Sequence, residues 1–219
     1  VHAPEKIQQL LDGVGMAAPV ARLEKIDDIV EHRLKMLADY QDQRYAMQYQ
    51  QLVASAKQAD ARFPEQGEAL SVAVARYGAK LMAYKDEYEV ARLYTSPEFM
   101  RQLTSTFQGD VKLKFNLAPP MLSKIDRYSG LPKKKEFGSW MMGSFKILKR
   151  LKFLRGTKLD IFGYTQERKM ERALISEYFA TVARLCSELH ADNYSTAVEL
   201  ASVPEQIRGY GHIKEQHVA

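Results

Sequence analysis

Only one cysteine occurs in the 219 residues, Cys186, so no internal disulfide can form. A lone thiol also cannot build a tetrathiolate zinc or iron–sulfur site. No Cys-x-x-Cys is present, and the glycine-rich phosphate loop Gly-x-x-x-x-Gly-Lys-Ser/Thr is absent, as are Gly-Asp-Gly, His-Glu-x-x-His and Gly-x-Ser-x-Gly. No run approaches the ~20 apolar residues needed to span a bilayer. The sequence does not open with a charged-then-apolar signal segment. Together these point to a reducing, cytoplasmic setting and exclude the common self-contained catalytic designs. The chain starts at Val1 without methionine, which suggests either an excised fragment or a processed start.

Apolar residues make up 46% and charged residues 27%, enough apolar surface to offset chain entropy in one domain spanning 1–219. The expected class is mainly α, an antiparallel bundle built on a long helical hairpin. Residues 4–12 fit a short amphipathic helix. It is broken at Gly13, Val14 and Gly15, where a helix before and Pro19 after deny the dinucleotide-binding context of a Gly-x-Gly-x-x-Ala match. From 22 to 62 there is neither proline nor glycine. Ile26, Val30, Leu34 and Leu37, then Tyr45, Tyr49, Leu52 and Ala56, recur at helical spacing, giving one helix or two with a break near Gln41. Phe63-Pro64 ends that stretch. Leu70, Val74, Tyr77, Leu81, Tyr84, Tyr88 and Ala91 alternate steps of four and three, predicting a packed helix over 66–92 antiparallel to 22–60. Buried tyrosines on that seam need partners for their hydroxyls.

Ser96-Pro97-Glu98 opens another helix, to about Phe107, with Gly109 as its stop. Val111, Leu113, Phe115 and Leu117 alternate with polar residues, so a small β element is expected near 111–117. Residues 123–138 read as a basic loop. Further helices are expected from about Ser139 to Arg155, closed by Gly156, from Thr165 to about His190, and from Asp192 to about Val203. The third-last helix is basic, and the inward row of the next is Met170, Leu174, Tyr178, Val182, Leu185 and Leu189.

Three groups of side chains are candidate sites. Tyr84, Lys85, Asp86, Glu87, Tyr88, Glu89 and Arg92 crowd acids, bases and phenols into one helical segment; they either lace an exposed face or form a buried polar network between helices. Arg208, Tyr210 and His212 lie in a tail with two glycine turns, and among the five histidines, otherwise His2, His32, His190 and His217, only His212 has such a setting. The third is a basic stretch: Lys133, Lys134, Lys135, Lys146, Lys149, Arg150, Lys152, Arg155 and Lys158 give residues 133–158 a net +8 with Glu136, in a chain of +5. Such a concentration attracts an anionic surface or ligand, unless the lysines merely snorkel from a buried helix.

Several blocks in order resemble the C-terminal domain of fused-type indolepyruvate ferredoxin oxidoreductases: residues 75–94 (ARYGAKLMAYKDEYEVARLY), 115–120 (FNLAPP), 135–138 (KEFG), 154–157 (LRGT), 162–165 (FGYT), 171–175 (ERALI) and 204–214 (PEQIRGYGHIK). The resemblance implies a parent enzyme that oxidatively decarboxylates aryl pyruvates, with thiamine diphosphate and 4Fe-4S clusters as cofactors, ferredoxin as electron acceptor and typically coenzyme A as acyl acceptor. It implies a homo-oligomeric parent whose remaining domains are this chain's partners. The diphosphate- and cluster-binding motifs are not in this chain, so no catalytic, cofactor-binding or metal residue carries over to it. A free-standing basic module for an anionic partner such as nucleic acid is the alternative.

Overall fold

The structure, a computed structural model, describes residues 25–107, 112–117, 133 and 135–207. The expected helix at 4–12, the glycine pair at 13–15, Gly109, Val111, Lys134 and the 208–212 tail lie outside the described residues. The chain is mainly helical, with a single two-stranded antiparallel sheet among the described residues.

The first two helices are α1, Ile26–Tyr40, and α2, Gln43–Asp60. They separate where Asp42 turns extended and its carboxylate accepts the Tyr45 amide at 2.8 Å. A short polar side chain thus offers the backbone an alternative to continuing the helix. A 3₁₀ turn at Pro64–Gln66 then leads to α3, Ala69–Met82. Hydrogen bonds from Tyr49 Oη to the Ala75 carbonyl (2.9 Å) and from Tyr45 Oη to the Met82 carbonyl (2.9 Å) pair early α2 with late α3. Asp60, at the end of α2, meets Ser71 at the start of α3. The two helices are therefore antiparallel. Leu70, Val74, Leu81, Tyr84, Tyr88 and Ala91 are buried.

The seam does not belong to one helix, however. The expectation of a continuous 66–92 helix is corrected: α3 stops at Met82, and α4, Glu87–Tyr94, restarts behind Asp86, whose side chain caps the Glu89 amide at 2.8 Å. The seam survives because a heptad pattern reports burial, which the restarted helix preserves at Tyr88 and Ala91.

Helix α5, Pro97–Thr106, begins at Ser96, whose hydroxyl accepts the Phe99 amide. Strand β1, Phe115–Leu117, is shorter than the alternation implied. It pairs with β2, Lys135–Phe137, in the register Phe115 to Phe137, Asn116 to Glu136 and Leu117 to Lys135. Residues 135–137, expected as loop, are thus a strand. Their Lys-Glu-Phe composition carries no alternation of its own, and the pairing is fixed by the partner. The expected 139–155 helix is also two pieces: α6, Met141–Leu148, tightens into a 3₁₀ segment at Lys149–Leu154. Helix α7, Gln166–Glu188, is capped by the Thr165 hydroxyl, and α8, Tyr194–Ser202, follows a 3₁₀ turn at Ala191–Asn193.

Two apolar clusters result. The large one joins α1, α2, α3, α7 and α8 around Leu37, Tyr49, Leu70, Val74, Met82 and Val182. The small one has Ala91, Phe115 and Phe145 at its centre, with Tyr94 stacked on Phe145 at 5.5 Å. No helix among the described residues is long and apolar enough to cross a membrane.

Candidate functional site

Where α4 begins, between the two clusters, lies a buried ion pair. Asp86 and Arg155 are both buried, at 3% and 9% exposure. The guanidinium grips the carboxylate with two prongs, Nη2 to Oδ1 at 2.9 Å and Nε to Oδ2. Its Nη1 donates to the Tyr40 carbonyl and to Gln41 Oε1, each at 2.7 Å, and its plane lies 3.7 Å from the Tyr40 ring centre. Arg155 thus binds the α1–α2 break, the start of α4 and the end of the 3₁₀ segment. Burial opposes its charge, but the Asp86 hydrogen bonds and surrounding anionic groups hold its pKa above the ordinary value.

Helix α1 has no basic residue in its last turn. Its C-terminal carbonyls are served from afar by Arg155 and by Lys152, whose Nζ lies 2.7 Å from the Asp39 carbonyl oxygen. Cations at a helix C-terminus satisfy orphan acceptors and meet the negative end of the dipole.

Residues 155–165 form a loop closed on Asp160. Its Oδ2 accepts the Gly156 amide at 2.8 Å, and its Oδ1 accepts the Tyr88 hydroxyl at 3.2 Å. Gly156 adopts φ +74, a region where L side chains are strained. At Gly163 the reason for glycine is contact: a Cβ there would lie 2.5 Å from Asp160 Oδ2. Arg172 Nη2 donates to the Gly163 carbonyl at 2.6 Å, whereas its buried Nη1 has no hydrogen-bond partner. Gly156, Thr157, Lys158, Asp160, Gly163, Tyr164 and Arg172 line a shallow depression of ≈ 210 Å³.

Arg168, on the first turn of α7, donates from Nη1 to Glu171 and lies 3.7 Å from Glu87 Oε2. Glu87 Oε2 is buried without a hydrogen-bond partner. Burial raises the Glu87 pKa, opposed by Arg168. Burial also raises the pKa of the Tyr40, Tyr84 and Tyr88 phenols. The Tyr40 hydroxyl donates to the Tyr84 carbonyl at 3.0 Å. A second buried knot ties α2, α3 and α8, where Asp60 accepts from the Ser71 amide at 2.8 Å and the Tyr194 hydroxyl at 2.7 Å. The Tyr194 pKa is pushed up to about 12 by burial and the Asp60 bond.

Of the seven acids, bases and phenols grouped in the sequence, Tyr84, Asp86, Glu87 and Tyr88 come together in this network. Glu89 and Arg92 pair with each other at 2.7 Å, and Lys85 is exposed. Of their partners, sequence reading placed Arg155 in the anion patch and missed Asp160, Arg168 and Glu171. The dense run 154–172, with glycines beside an aspartate, was the available signal. Arg208, Tyr210 and His212 lie outside the described residues.

The anion patch needs correcting. Arg155 is buried against Asp86 and is unavailable to a ligand, and Lys152 is occupied with α1. Lys133, Lys135, Lys146, Arg150 and Lys158 are exposed and Lys149 is half-buried, while Lys134 lies outside the described residues. The snorkelling reading fails as well, because α6 buries only Phe145. Among the described residues, no three His, Cys, Asp or Glu side chains converge on a point where a metal ion could be held.

The geometry defines a helical domain pinned by a buried ion network. The chain belongs to DUF6537, a family of unknown function, whose model matches residues 26–219. No curated protein and no solved structure matches it.

Proposed function

We propose that this chain is a non-catalytic accessory domain of a larger cytoplasmic 2-oxoacid oxidoreductase of the indolepyruvate ferredoxin oxidoreductase type. In this reading the parent oxidatively decarboxylates aryl pyruvates with thiamine diphosphate and 4Fe-4S clusters, passes electrons to ferredoxin, and typically delivers the acyl group to coenzyme A. The domain itself packs against catalytic domains or at a subunit interface.

One observation supports it most. The blocks that resemble that family, at 75–94, 154–157, 162–165 and 171–175, converge in space on the buried network of Asp86, Tyr88, Arg155 and Glu171. Four of the seven resembling blocks thus meet at residues that fix a shape, with their charges turned toward one another, as a scaffold requires. A catalytic group would need access to a reacting atom.

The test is to purify the protein from its source through a tag at its own locus. The expected result is a polypeptide longer than this chain, carrying thiamine diphosphate and iron, that reduces ferredoxin when given indolepyruvate and coenzyme A. A protein lacking both cofactors and inert toward every aryl pyruvate tried would sink the reading.

A further inference from the structure

Apolar exposure in this chain is lopsided. Of the twelve large apolar side chains that are exposed among the described residues, nine lie in the sequence between Leu93 and Tyr164. Six of them fall in one run: Trp140, Ile147, Phe153, Leu159, Ile161 and Tyr164, exposed by 59% to 71%. Scattered exposed apolar residues are ordinary, but a concentration of this kind, rimmed by charge, marks an interaction surface. The rim here has one sign. Lys146, Arg150 and Lys158 are exposed within the same run, and residues 140–164 contain one acid, Asp160, which is turned inward onto Gly156 and Tyr88.

We infer that residues 140–164 form a docking face for an apolar protein surface edged with carboxylates, on a domain other than a second copy of this chain. The charge decides the occupant. A symmetric contact between two copies would bring identical cations together. An acidic partner turns the same charges into attraction and orients its approach. Single-stranded nucleic acid would use the aromatics as stacking platforms. It leaves Ile147, Leu159 and Ile161 without a role, since aliphatic side chains offer no stacking surface. With Arg155 and Lys152 spent inside the fold, Lys146, Arg150 and Lys158 remain as exposed cations of this run and Lys149 is half-buried. The inference rests on the accessory-domain reading for where the partner is found, and on the surface itself for its chemistry.

Footprinting tests it. The tagged native protein and the 219-residue chain, which carries its own core, are each given a hydroxyl-radical pulse. Trp140, Phe153 and Leu159 should label about fivefold or more slowly in the native protein, as expected for side chains at the core of an interface. Met47 and Leu200, exposed elsewhere, serve as controls and should label alike. A carbodiimide, which couples amines only to carboxylates in contact with them, should link Lys146 or Lys158 to an acid outside residues 1–219. The triple variant Lys146→Glu, Arg150→Glu, Lys158→Glu should leave the isolated chain's melting unchanged and abolish the protection. Equal labelling in both samples overturns the proposal. So do cross-links that join two copies of residues 140–164, or submicromolar binding of a dT20 oligonucleotide that the triple variant loses. Protection without aryl-pyruvate oxidation keeps the docking face and discards only the parent assignment.

Discussion

Arg155 places four hydrogen bonds on two segments distant from it in sequence, two on Asp86 and one each on the neighbouring Tyr40 and Gln41. A buried pair contributes little net stability, but removing one partner leaves a stranded charge. Arg155→Met keeps much of the volume and strands Asp86. It should cost ~3–5 kcal/mol in urea unfolding at neutral pH, and a loss below ~1 kcal/mol would show that water or another donor rescues Asp86. Glu87 behaves oppositely. Its folded pKa is raised above the ordinary 4.5, by burial with no hydrogen bond to Oε2. The folded state therefore holds this proton more tightly than the unfolded state does. Stability falls as pH rises from the ordinary carboxylate value through the raised folded value, and the penalty persists above it. Glu87→Gln mimics the protonated form. It should match the wild type in acid and become the more stable of the two toward neutral pH. A difference that stays constant across that window would rule out Glu87 as the cause.

Helices were the most legible elements, because burial periodicity and capping chemistry are local. Ser96 and Thr165 cap where the sequence placed them, and the break near Gln41 falls where the polar run predicted. The break depends on Asp42, so Asp42→Ala should cost ~0.5–2 kcal/mol, read from chemical denaturation; no loss would mean the turn is held by Arg155 on Gln41 alone. What the sequence hid is non-local. The interruption between α3 and α4 has the same local sign, an aspartate before a helix, but it sits inside an unbroken heptad seam that masks it. Strand β2 exists only because β1 offers it a ladder, and a pair of three-residue strands is marginal without packing beneath it. Half of the candidate network was legible as the dense run at 84–92. The other half, Arg155, Asp160, Arg168 and Glu171, comes from some seventy residues away, and no spacing rule connects the two. The basic stretch misled for a related reason, since composition counts charges without revealing which are spent on α1's carbonyls.

Across the whole molecule, the two apolar clusters are unequal. Among the described residues, the larger has twenty-two buried side chains and the smaller three. Hydrophobic stabilisation scales with the area removed from water, so among the described residues the region of α5, β1, β2 and α6 has less apolar burial holding it closed than α2 and α3 have. What couples it to the rest is the ion network at the start of α4, through Asp86 and Arg155, together with Tyr88 on Asp160. Local opening should follow that inequality, since regions with few buried contacts open below the global free energy. Hydrogen exchange on the isolated chain should show amides of α5, β1, β2 and α6 exchanging first, through openings that leave α3 protected. Helix α3 should exchange last, only on global unfolding. Arg155→Met should widen the gap, because it cuts the tie while leaving the large cluster intact. The smaller region should then exchange faster by a larger factor than α3 does. If instead both regions speed up by the same factor, the clusters unfold as one unit and the network is part of a single cooperative core.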